Sequence, residues 1–170
     1  MAGVRTAGCC CTSCNQLRRC FNGRNAVLSV SGITGTCSGQ NGDHIIGLGT
    51  VGATSTCNCT WGAQLNNHSG FDLIGFEVQS YPISGPFPAP PCRWTTLTLI
   101  QKSGSQSRHG VSPFDNAGNP IPEEDIDFAK ADALIVALCA GSTIGYPFLD
   151  SIAGISGCNV TNAVMFVHLD

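Results

Sequence analysis

Trp94-Thr95-Thr96-Leu97-Thr98-Leu99-Ile100-Gln101-Lys102 places Leu97 and Leu99 on one face of an extended chain and Thr96, Thr98 and Ile100 on the other. A period of two is the mark of a β-strand, because successive side chains leave opposite faces of the pleat. Six further short runs have a β-like composition: 26–31, 44–48, 54–61, 71–81, 133–138 and 163–169. Turn chemistry separates them. Asn41-Gly42-Asp43 and Ser69-Gly70 are hairpin signals, and the proline-rich run 84–91 reads as a surface loop because proline brings no N–H to a ladder. The expected fold is therefore all-β, an antiparallel β-sandwich or jelly roll of about seven strands.

Two regions fall outside this pattern. Residues 1–24 are rich in Cys, Asn, Gly and Arg without clear periodicity, and are expected to form an irregular cysteine-rich N-terminal arm preceding a β-sandwich domain over 25–170. Residues 103–122 read as a long polar loop. The segment 122–131, opening with Pro122 and the acids Glu123, Glu124 and Asp125, predicts one short helix, since proline fits a first turn and the dipole favours acids there. Half of the basic residues lie in the arm (Arg5, Arg18, Arg19, Arg24), and six of the 11 acids lie over 115–132. In an assembly this asymmetry could set one copy's arm on its neighbour's loop; two separately solvated surfaces are the plainer reading.

Composition narrows the class. The chain has 170 residues, 42% hydrophobic and only 11% charged, with 21 Gly, 9 Pro and 11 Cys. Its size suits one domain, and its hydrophobicity with a net charge of −3 excludes a wholly disordered chain. The apolar run 131–140 is about half the length of a membrane span, so none is expected. A pI near 5.7 with eight Lys plus Arg gives no basic footprint for nucleic acid.

The cysteines carry the strongest chemical signal. Eleven thiols would read as a disulfide framework in a secreted chain, yet residues 1–8 hold no apolar stretch of a signal peptide. The expectation is a protein made in a cytosol and locked later, as in a virus particle, by oxidation or by metal. Cys11-x-x-Cys14 has the spacing of a zinc knuckle, and Cys57-x-Cys59 would supply two more thiolates, with His44 or His68 as substitutes. Disulfides, a zinc site at Cys11, Cys14, Cys57 and Cys59, and free thiols all remain open here.

Catalytic patterns are sparse. His44, His68, His109 and His168 are scattered, with no H-E-x-x-H, G-x-S-x-G, phosphate loop or dinucleotide fingerprint. Asp115-Asn116-Ala117-Gly118-Asn119 reads as a turn rather than a calcium loop. A carboxylate pair of Glu77 with Glu123 or Asp150 has only its composition in favour. Trp61, Trp94, Tyr81 and Phe87 could form a sugar-stacking surface, although core packing accounts for both tryptophans.

The order Cys9-Cys10-Cys11-x-x-Cys14, the strand 27–32, Cys37 before Asn41-Gly42, Cys59-x-Trp61, and Gly157-Cys158 before the last strand resembles cysteine-rich β-sandwich structural proteins of tailed bacteriophages and related bacterial proteins. The likeness covers the first 61 residues and about the last 13. It implies a non-enzymatic virion structural or accessory protein, a capsid decoration, tail or fibre component, partnered by copies of itself and other virion proteins. Cys57 and the Cys37-to-Asn41 spacing depart from that pattern and leave a pairing of Cys37 with Cys59 open. The alternatives are a secreted, extracellular carbohydrate-binding module with a glycan partner, and a metal-dependent hydrolase using the Cys/His set.

Overall fold

The computed structural model describes residues 11–52, 59–66, 73–81, 94–103, 105–148 and 157–170. They form two four-stranded antiparallel sheets and a two-stranded ribbon, with two α-helices. The chain is mostly β, as its alternating runs predict, with ten strands among the described residues.

One sheet has the order β3-β1-β10-β8, built from β1 (Asn25–Ser31), β3 (Gly42–Gly47), β8 (Ile144–Pro147) and β10 (Val164–Leu169). Pairing of the first long strand with the last sets Ala26 opposite Leu169, Leu28 opposite Val167 and Val30 opposite Met165, all buried. The other sheet is a meander of β4 (Cys59–Asn66), β5 (Leu73–Tyr81), β6 (Trp94–Ser103) and β7 (Ser105–Val111). Its register lines Trp61, Val78, Leu97 and Val111 in one cross-strand row, and Phe76, Leu99 and His109 in the next. Side chains of both sheets enter one core cluster, the sandwich arrangement expected of alternating strands. The ribbon pairs β2 (Thr34–Gly35) with β9 (Cys158–Asn159).

The next row of the meander runs Gly62, Glu77, Thr98, Gly110 and faces away from Leu97 and Leu99. Both glycines have positive φ, +118° and +89°, and a Cβ on either would collide with a neighbouring strand's carbonyl oxygen. Only glycine permits that close approach.

The helices correct three expectations. Residues 11–21, expected to be irregular, form α1 (Cys11–Phe21), whose Leu17, Cys20 and Phe21 enter the core. Those residues recur at the three- and four-residue spacing that aligns one helical face. The run 133–138, expected as a strand, lies in α2 (Phe128–Cys139). A short all-apolar run has no period to tell strand from buried helix, and its Ala and Leu favour the helix. Asp127 caps it, accepting from the Lys130 N–H at 3.0 Å, and the N–H of Ser142 closes its end on the Ala137 carbonyl.

The helix expected over 122–131 is accordingly displaced. Glu123–Asp125 makes a single 3-10 turn, Ile126 returns to extended backbone, and α2 begins at Phe128. The polar loop expected over 103–122 contains β7, held by pairing with β6. Of the expected strands 54–61 and 71–81, the described parts 59–61 and 73–81 lie in β4, which runs on to Asn66 beyond the expected end, and in β5; residues 53–58, 67–72 and 82–93, including the Ser69-Gly70 turn and the proline run, lie outside the described residues.

Candidate functional site

The cysteines join distant parts of the chain. Cys20 near the end of α1 is bonded to Cys139 at the end of α2, with Cα atoms 5.6 Å apart and 119 residues between them in sequence. Cys37 is bonded to Cys158, with Cα atoms 5.3 Å apart and a separation of 121. Cys37 is thus paired with the cysteine before the last strand rather than with Cys59. Cys59 is fully buried and is itself a disulfide cysteine, so it holds no thiolate for a metal. The side chains of Cys11 and Cys14, and Cys57 as a whole, lie outside the described residues. Among the described residues no three His, Cys, Asp or Glu side chains come together as a metal set.

The Cys20–Cys139 bond closes one end of a groove between α1 and α2, with a volume of about 750 Å³. Leu17, Ile135 and Val136 supply apolar wall, and Arg19 and Arg24 supply positive charge. Val136 is 67% exposed, the most open of the exposed large apolar residues described. Two helix ends meet at the disulfide, where the helix dipoles concentrate partial negative charge, and arginines counter it. Arg24 donates to the carbonyls of Cys20 and Leu169, each at 3.4 Å. Arg19 is exposed, with no partner among the described residues. The Arg18 Nη1 is buried and unpaired among them.

A second, smaller pocket of about 280 Å³ lies over the polar face of β6, where Thr96 meets Phe114, Ile121, Ile126 and Phe128. Next to Thr96 in the sheet stand Gln79, whose Oε1 is buried and unpaired among the described residues, and then Glu77 beside Thr98, whose Oγ1 is in the same condition. Burial pushes the Glu77 carboxyl above its ordinary range, and Arg108 partly offsets that. Arg108 itself donates to the Asp115 carbonyl and lies over the Phe114 ring, 5.8 Å from its centre. Asp115 forms the turn its sequence predicts: its carboxylate accepts from the N–H groups of Ala117 and Asn119 at 2.9 and 2.8 Å, which holds its pKa low.

The remaining candidates disperse. His109 packs inward, 3.2 Å from the Gln101 amide oxygen and 5.6 Å ring to ring from Tyr146, and burial lowers its pKa. The His44 ring sits 2.7 Å from the Gln40 carbonyl. Trp61 is 1% exposed, with its indole N–H on the Asn22 side chain at 2.9 Å and its ring 5.7 Å from Phe21. It is a core residue and cannot serve as a sugar platform. The side chains of Trp94 and Tyr81, with Phe87 and His68, lie outside the described residues.

The α1–α2 groove is not foreseen from the sequence because residues 11–21 read as irregular and 133–138 as a strand, the expected helix ending at 131. The spacing of Leu17, Cys20 and Phe21 was the available signal. No protein-family model matches the chain, and neither the curated proteins nor the solved structures include a significant match.

Proposed function

We propose that this protein is a non-enzymatic structural or accessory component of a virus particle, a decoration, tail or fibre element, that assembles with copies of itself. One observation carries the assembly reading: Val136, 67% exposed, opens onto a groove with apolar wall and arginines, on a chain only 11% charged. Such a surface is better suited to being covered than to lone solvation, since free monomers rely on charge for colloidal stability. Phe166 and Ile45, 40% and 60% exposed on the β3-β1-β10-β8 sheet, add apolar surface. The disulfides suit a block that must survive outside a cell, because each ties residues about 120 positions apart.

Quantitative mass spectrometry of purified particles tests the placement. The expected result is a fixed copy number relative to the shell protein. Absence from the particles would contradict it.

A further inference from the structure

We propose that the α1–α2 groove receives the acidic turn 123–127 of a second copy of this chain, joining copies head to tail. The inference rests on the assembly reading above and names its contact. The groove offers Leu17, Ile135 and Val136 as apolar wall and Arg19 as an exposed cation. The turn offers the complement. Glu124, Asp125 and Asp127 are exposed, and Ile126 is half-buried among them. Asp132, the acid in the groove wall, already has an interaction of its own.

A chain cannot place its own turn in its own groove. The turn precedes α2 and lies against the β6 pocket that Glu123, Ile126 and Phe128 line, whereas the groove is walled by Asp132, Ile135, Val136, Cys139 and Ala140, from the second turn of that helix to just past its end. A 12-residue helix spans about 18 Å. The two complementary surfaces are therefore separate patches, the turn held against β6 and the groove running along a rigid helix whose C-terminal end is stapled to α1. Contacts of this kind are heterologous, and repeat into a ring or a filament according to the rotation between copies.

Charge reversal tests the contact in the full oxidised chain. One variant carries Arg19→Glu, the other Glu124→Arg with Asp125→Arg; all three side chains are exposed, so the fold tolerates them. Sedimentation velocity over a concentration series reads association. Each variant alone is expected to associate at least about tenfold more weakly than the unmodified chain, because like charges then face each other. An equimolar mixture restores association, since each variant's groove matches the other's turn. Added salt weakens association of the unmodified chain without any substitution. Variants that associate as well as the unmodified chain overturn this contact while leaving self-assembly standing. An unmodified chain that stays monomeric at every concentration overturns both.

Discussion

Replacing Cys20 and Cys139 together by alanine removes the bond between the two helix ends and leaves the Cys37–Cys158 bond in place. Taken alone, a cross-link enclosing 119 residues is worth almost 5 kcal/mol (~) in the chain-entropy account. The two loops overlap, however, and the second bond has already shortened the path. With Cys37 tied to Cys158, the ring closed by Cys20–Cys139 contains only the 17 positions from Cys20 to Cys37 and the 19 from Cys139 to Cys158. A ring of about 36 residues is worth about 3.8 kcal/mol, and measured staples fall somewhat short of that account, so we expect a loss of about 3 kcal/mol. Guanidinium unfolding of the two proteins measures it. The denaturant slope should rise slightly, because the less constrained unfolded chain exposes more surface. A loss under about 1 kcal/mol would refute the claim that this bond constrains the unfolded chain across its length.

Limited reduction should open Cys20–Cys139 first, because Cys139 is exposed whereas Cys37 is 1% exposed; differential alkylation with mass spectrometry reads the order, and the reverse order would count against it. His109 is buried with a lowered pKa, so the unfolded chain takes up its proton first as pH falls; its contribution is present above about 6.5 and lost below that, and His109→Gln should flatten the decline in stability between about pH 7 and 5. Glu77 has the opposite sign for stability, its raised pKa making the charged form costly above its ordinary range, so Glu77→Gln should stabilise the protein at pH 7 and lose that advantage below about pH 4. Gly62→Ala should cost about 2 kcal/mol or more in a thermal or chemical melt, since its Cβ meets the Phe76 carbonyl at a φ of +118°. A melt unchanged by that substitution would mean the strands do not approach as described.

The β-strands that were legible are those whose own side chains alternate. In β6, Leu97 and Leu99 face the core and Thr96 and Thr98 the other way, as the period of two requires. β7 was hidden because Ser105-Gln106-Ser107-Arg108 carries no hydrophobic pattern, and the segment becomes a strand by pairing with β6. α2 was misread because an unbroken apolar run looks alike in either state, and its deciding feature, the Asp127 cap, lies several residues upstream. The acids of 123–125 marked a helical turn correctly but could not show that Ile126 would interrupt it. Cysteine pairing was illegible for a different reason: bonds between residues 119 and 121 apart depend on the whole topology, and spacing along the chain holds no trace of them. The groove inherits that limit, since it exists only once both helices and their disulfide are in place.

Self-assembly is the claim on which the functional reading stands, and sedimentation equilibrium of the oxidised chain addresses it directly. The average mass is expected to rise with concentration above the 17.6 kDa of one chain. A mass that stays at 17.6 kDa across the series would contradict it.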